Sequence, residues 1–329
     1  MANGQDQIGI LEKKLQRARH MTWVWCFLIF VLTIANIYQY IAFVQPNSKE
    51  ADFAKYPFID PSRHIIKQEH FLTTVQPLRD YLKNLVETET NADISIYYEF
   101  LNTGANISIN PDDRYYPASL IKLPIAIVAM KKVQDGEWRL DSELVLMTED
   151  INEEFGDIYT KYSVGDRITV EEVIKWSLMK SDNTAHDMLF RNTTTDERVA
   201  FIDDIGLYEL FDQDFSVTTK EYARIFRSLY TASYLNREYS QKVLEWLTQA
   251  EFKDYLSYGL GPEAKFAHKY GIHVSNNIFA DAGIVYYPNR PYLLVVIIKG
   301  KFDNHEENRA LATSIMHNIS SKAYELANQ

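Results

Sequence analysis

The sequence predicts an α+β protein: an antiparallel sheet of about five strands flanked by N- and C-terminal helices, plus an all-helical lobe, preceded by one transmembrane helix. Three observations lead there. An uncharged apolar stretch of 24 residues runs from Met21 to Val44. Beyond it the segments follow the order helix, two strands, a long helical block, three strands, helix. Strands from the two ends of that order can join one sheet, leaving the block between them as a second lobe. The remaining composition, 46% hydrophobic and 24% charged over 329 residues, is that of a globular chain with a well-buried core.

The apolar stretch, at about 1.5 Å per residue, is long enough to span a bilayer. Lys13, Lys14, Arg17 and Arg19 precede it, so residues 1–20 are expected as a cytoplasmic tail and everything after Val44 outside the cell. Trp23, Trp25, Tyr38 and Tyr40 lie toward its ends, as interfacial aromatics do. A cleaved signal peptide is the competing reading, but the run is long and shows no small-x-small cleavage site, which favours an uncleaved signal-anchor over 21–44. In the tail, Ile8, Leu11 and Leu15 have roughly the spacing of a short juxtamembrane helix, and a solvated tail is the preferred reading. Residues 45–68, with Pro46, Pro57 and Pro61, read as a linker to a domain over 69–329.

Within that domain, the spacing Val75, Leu78, Leu82, Leu85 and Val86 predicts an amphipathic helix over about 71–87. Residues 94–101 and 106–110 read as strands around a turn at Asn102-Thr103-Gly104. A helical lobe of about 117–258 follows, with segments such as 170–180, 184–190, 196–205, 218–231 and 240–249. Strand character returns at 266–270, 277–286 and 292–299, and a closing helix over about 304–327 places Leu311, Ile315, His317 and Ile319 among its inner-face candidates.

The net charge of −11 argues against nucleic acid as a partner. The single cysteine, Cys26, lies in the apolar stretch, which excludes a disulfide framework and a cysteine nucleophile in the domain. Chemistry is expected instead at Tyr116-Pro117-Ala118-Ser119-Leu120-Ile121-Lys122. Pro117 suits a helix start, the residues after it are apolar all round as in a buried helix, and Asp135-Gly136 supplies the stop. Ser119 and Lys122 share one face three residues apart. A serine there lies in the positive field of the helix start, and a lysine in apolar surroundings loses its proton more readily. The spacing alone proves little, because Ser177-Leu178-Met179-Lys180 repeats it and reads as helix surface.

Two further places give the pair its meaning: Ser181-Asp182-Asn183 between two helices, and His268-Lys269-Tyr270-Gly271 on the first strand after the lobe. Together, in this order, they resemble the class A β-lactamases and the penicillin-binding D,D-peptidases, from about Phe71 to the C-terminus. The resemblance implies that Ser119 forms an acyl-enzyme with a strained lactam or D-alanyl amide, and that Lys122 helps activate it. It implies that Ser181 relays a proton to the leaving nitrogen, with Lys269 keeping that region electropositive. Asn183 would hold the substrate's amide side chain, and Ser119 and Ile272 would supply the oxyanion-hole amides. No metal or cofactor is implied; the expected partners are a small molecule or peptidoglycan-like peptide and, through 21–44, the membrane. Singly, Ser181 and Asp182 also suit a helix N-cap, Lys269 suits an edge strand, and His186 and His268 read as packing or surface histidines.

Two departures from the family pattern stand out. Ile202-Asp203-Asp204-Ile205-Gly206 runs within about a dozen residues into Val217-Thr218-Thr219-Lys220-Glu221-Tyr222, without the Glu-x-x-Leu-Asn loop that activates the deacylating water; Glu209, Asp212 and Asp214 are the nearby acids. Tyr270 stands where relatives carry Thr or Ser to hold a substrate carboxylate, and Tyr270-Gly271 thereby joins Ile272 as a binding element of altered chemistry. Glu149, Glu153 and Glu154 read as solvated charges. The expected function is an anchored extracytoplasmic serine hydrolase with slow deacylation; the alternative is a catalytically weak penicillin-binding-like binding or sensor domain.

Overall fold

The apolar stretch does form a helix. The computed structural model describes residues 3–44, 55–59, 75–207, 210, 215–262 and 264–328, so Glu209, Asp212, Asp214 and most of the expected linker lie outside the described residues. The chain divides into two units, Met1–Lys55 and Tyr56–Gln329. In the first, α1 runs unbroken over Asn3–Val44, and its section Lys13–Gln39 is long and apolar enough to cross a membrane. Trp23, Phe27 and Phe30 on it are exposed. The tail is helical from Asn3, the juxtamembrane reading rather than the preferred one, because no proline intervenes before Pro46 and a formed helix extends at low cost.

The second unit begins with docked backbone: Phe58 and Ile59 are buried, and Phe58 N–H donates to Gln241 Oε1 at 2.9 Å. Helix α2 (Gln76–Thr88) starts later than its apolar spacing suggested, with Pro77 in its first turn, where a missing N–H costs nothing. Strands β1 (Ala92–Phe100) and β2 (Ala105–Ile109) form a hairpin. A 3₁₀ turn at Ala118–Ile121 leads into α3 (Lys122–Gln134). Then come β3 (Glu143–Val145), a single helical turn at Ile158–Lys161, β4 (Arg167–Thr169), α4 (Val170–Met179), α5 (Asn183–Asn192) and α6 (Thr195–Ile205). Helices α7 (Thr219–Tyr230) and α8 (Arg237–Thr248) complete the lobe. Strands β5 (Lys265–His273), β6 (Ile278–Tyr286) and β7 (Tyr292–Gly300) and helix α9 (His305–Ala327) close the chain.

The five long strands make one antiparallel sheet in the order β2-β1-β7-β6-β5. Alternation along β1 divides its side chains: Ile94, Ile96, Tyr98 and Phe100 join Leu78, Leu82, Ile315, Met316 and Ile319 under the terminal helices. Tyr97 faces the helical lobe instead, in the core built on α3. The sheet is therefore covered on both faces, with β2 and β5 as its edge strands. Gly283 on β6 sits where an added β-carbon would lie 2.2 Å from the Ala267 carbonyl oxygen, so only glycine lets β5 and β6 approach. The lobe is not purely helical, since β3 and β4 pair as a short ribbon. His317 on α9 departs from its inner-face expectation. It stacks on Tyr258 at 3.9 Å, and its Nε2 meets Asp254 Oδ1 at 2.7 Å.

Candidate active site

The nucleophile candidate does not sit inside an α-helix. Ser119 lies in the 3₁₀ turn before α3. Pro124 explains the break: it has no N–H for the Leu120 carbonyl four residues back, and the buried Tyr222 hydroxyl donates to that oxygen instead at 2.9 Å. Ala118, just before the serine, holds φ +50, a left-handed conformation that costs a non-glycine residue roughly 1 kcal/mol or more. Lys122 then opens α3 with its side chain 2% exposed. Its Nζ donates to Ser119 Oγ at 2.9 Å and to Asn183 Oδ1 at 2.6 Å, and lies 3.4 Å from Ser181 Oγ. Burial pulls the Lys122 pKa down to about 8, against the opposing charges of Asp182 and Asp187. An amine so placed is poised to lose its proton near neutral pH.

Ser181 comes from the α4–α5 turn at φ +58, buried, between two lysines. Lys269 on β5 donates to Ser181 Oγ at 2.8 Å and to the Tyr270 carbonyl at 2.9 Å. Burial first, then repulsion from Lys122, push the Lys269 pKa well below the lysine range, with Asp281 pulling the other way. The turn itself is fixed by Asp182. Its Oδ1 caps α5 by accepting from Ala185 N–H at 2.8 Å, and its Oδ2 accepts from Asp157 and Ile158 N–H at 2.7 and 2.9 Å. Gly156 makes room for that carboxylate: an added β-carbon would lie 2.1 Å from Oδ2, at φ +110.

The structure thus brings Ser119, Lys122, Ser181, Asn183 and Lys269 together. Gly271 joins them at the edge of the sheet, where an added β-carbon would come within 3.1 Å of Ser119 N; Ile272 follows it, half-buried. Tyr270 is packed inward. Its phenol does not reach outward. The residue is 7% exposed, stacked on Phe252 at 3.9 Å and edge-on to Phe155 at 6.5 Å, with Lys269 Nζ 4.4 Å from its ring centre. Stacking buries an aromatic face that solvent would otherwise wet, and this overrides any outward rotamer.

Several residues at the site carried no sequence signal. Asn152 accepts from Asn183 Nδ2 at 3.2 Å and donates its own amide to Asp187 Oδ2 at 3.2 Å. A carboxylate only accepts, so Asp187 sets the direction of the chain and turns Asn183 Oδ1 toward Lys122. Burial raises the Asp187 pKa, opposed by the Asn152 hydrogen bond and by Lys122. His186 is held neutral, its pKa pushed to about 3 by burial and then by Lys122 and Lys269. His268 is fully buried, with Nδ1 2.8 Å from Asp281 Oδ1. Glu149, Glu153 and Glu154 are exposed, as solvated charges should be.

Comparison with known proteins follows the same lines. A model of the beta-lactamase enzyme family matches residues 77–327. The chain is 29% identical over 93 residues to the beta-lactamase regulatory protein BlaB of Streptomyces cacaoi, 28% of this chain and 30% of BlaB. It is 22% identical over 111 residues to beta-lactamase VEB-1 of Pseudomonas aeruginosa, 33% of this chain and 37% of VEB-1. The matched regions thus span about a third of these curated relatives' length. The solved structure of PBP-A is similar in fold, with a TM-score of 0.68 at 22% identity over 76% of this chain and 96% of that one. A variant of PBP-A has been solved as an acyl-enzyme complex with penicillin G. The chain belongs to the beta-lactamase enzyme family, with the fold of the class A β-lactamases and penicillin-binding serine hydrolases.

Proposed function

We propose that this protein is a membrane-anchored serine hydrolase that forms an acyl-enzyme through Ser119 and releases the acyl group slowly. The observation that carries it is the 2.9 Å contact between Ser119 Oγ and a buried Lys122 whose pKa is near 8. Neutral Lys122 takes the Ser119 proton while Oγ bonds to the carbonyl carbon of a β-lactam or D-alanyl peptide-like amide. As the C–N bond breaks, Ser181 hands a proton to the leaving nitrogen and regains one from the lysine side. The amides of Ser119 and Ile272 receive the developing oxyanion. Among the described residues no carboxylate hydrogen-bonds Ser119: Asp182 is taken by three backbone amides and Asp187 by Asn152. The missing Glu-x-x-Leu-Asn loop supports slow attack by water.

The helix over Lys13–Gln39, with its basic residues gathered at the start ahead of the apolar stretch, supports a single-pass anchor with the N-terminus cytoplasmic and the hydrolase domain outside. A second reading is a sensor that is acylated once and signals through that anchor; the partial likeness to BlaB supports it. Both readings share one test. The full chain, purified in detergent, is mixed with benzylpenicillin or its methyl ester and followed by intact mass. A one-to-one adduct on Ser119 that persists for many minutes is expected. Rapid loss with product release overturns slow deacylation, and an adduct that survives Ser119→Ala overturns the nucleophile.

A further inference from the structure

We infer that the leaving-group side of the Ser119 cleft accepts a neutral group, so the site acylates from esters, lactams or amides that carry no carboxylate beside the scissile bond. The inference rests on the acyl-enzyme reading and narrows its substrate class. Ser181 marks the leaving-group side, because it delivers the proton to the departing nitrogen. Whatever lies beyond Ser181 meets the rest of that group.

A carboxylate brought there needs donors or a positive charge, since a buried anion without either is strongly disfavoured. Lys269 is the nearest amine, and its donors are committed. It is 1% exposed, bonded to Ser181 Oγ at 2.8 Å and the Tyr270 carbonyl at 2.9 Å, and its remaining side faces the Tyr270 ring 4.4 Å away. Lys122 spends its hydrogens on Ser119, Ser181 and Asn183. The Tyr270 ring fills the space beside Lys269, held between Phe252 and Phe155. Burial pushes the Tyr270 phenol up to about 12, a hydrogen bond with Ser181 working against it, so its hydroxyl stays neutral and is turned toward Ser181. His186 is neutral as well. Rings and committed donors therefore line this side. Arg309 on α9 remains exposed, and its charge is felt at the Tyr270 hydroxyl. It is the cation a carboxylate would have to reach instead.

Benzylpenicillin and its methyl ester form a matched pair: the same strained lactam, with and without the anion. In both, the Ser119 Oγ–C bond forms, the lactam C–N bond breaks, and the serine proton ends on the nitrogen. The rate of adduct formation on the full chain is measured by intact mass for each. The ester is expected to acylate roughly 10- to 100-fold faster than the free acid. Tyr270→Thr, which opens the space, should bring the ratio toward one, and Tyr270→Phe, which keeps the ring, should leave it. Should Tyr270→Thr lose its thermal transition, the wild-type and Tyr270→Phe ratios still decide. A free acid that reacts as fast as the ester, or faster, overturns the inference while leaving the acyl-enzyme intact; loss of that reactivity in Arg309→Ala would then identify the anchor. No adduct from either compound overturns the acyl-enzyme reading, and this inference with it.

Discussion

Ser119-Leu120-Ile121-Lys122 and Ser177-Leu178-Met179-Lys180 have the same spacing and opposite fates. In the first, the chain turns as a 3₁₀ coil, the serine stays half-buried, and the lysine folds back onto it inside the lobe. In the second, the serine lies in the last turns of α4, fully buried, with no hydrogen-bond partner for its hydroxyl among the described residues. That corrects the reading of this copy as helix surface for Ser177, though not for Lys180. Lys180 points outward, over the Trp176 ring at 4.2 Å and 3.2 Å from Glu251. Burial makes the first lysine reluctant to hold its proton; the second lies at the surface beside carboxylates. Reactivity here comes from what the surrounding elements supply, not from the interval between two residues.

Substitution is the hardest strain on that contrast. Ser119→Ala should reduce acylation by on the order of 10⁴-fold or more, whereas Ser177→Ala should leave the rate within about twofold, read by adduct formation. The pH profile comes next. Because burial lowers the Lys122 pKa to about 8, its neutral fraction grows through that value, and the acylation rate should climb about tenfold between pH 7 and 9. Lys180→Met should leave the inflection in place. The same shift has a stability sign. Above about pH 8 the folded site has shed a proton that the unfolded chain keeps up to the ordinary lysine value, so Lys122 makes the fold more stable as pH rises across that window.

Gly156→Ala tests the scaffold behind the first pair. The new β-carbon would overlap Asp182 Oδ2 at an unfavourable φ, and the fold should lose about 3 kcal/mol in denaturant melts. The smallest effect belongs to the second pair. Ser177→Ala removes a buried unpartnered hydroxyl from a helix and should stabilise by about 1 kcal/mol. A loss of stability there would reveal a partner for that hydroxyl and blur the contrast.

Much of the fold was legible because period and punctuation agreed. Strands β1, β2, β6 and β7 were placed within a few residues by their apolar, β-branched runs and by turns at Gly104 and Pro288-Asn289-Arg290-Pro291. Helices α6 and α7 carry capping boxes, Thr194 with Glu197 and Thr218 with Glu221, that mark their starts. The residues of the candidate site were legible through their order along the chain. What stayed hidden depends on contacts between distant segments. Nothing near Pro124 says that Tyr222 will take over the Leu120 carbonyl. Asn152 bridges Asn183 and Asp187 only once the 151–157 loop folds over α5. The packing of Tyr270 was hidden because its neighbours Phe155 and Phe252 lie 115 and 18 residues away along the chain. The helical tail was only half legible for a different reason: its polar composition says little about whether an adjoining helix will propagate through it.

The strand order also sets a timetable. Ala92 pairs with Gly300 and Phe100 with Tyr292, so the sheet closes only after nearly the whole chain has been made. Such distant pairings form slowly, and synthesis proceeds from the N-terminus. Ser119 and Lys122 emerge long before Lys269, which arrives on an edge strand that depends on β6 and β7 for its place. A growing or truncated chain therefore carries its serine without the far wall of the cleft.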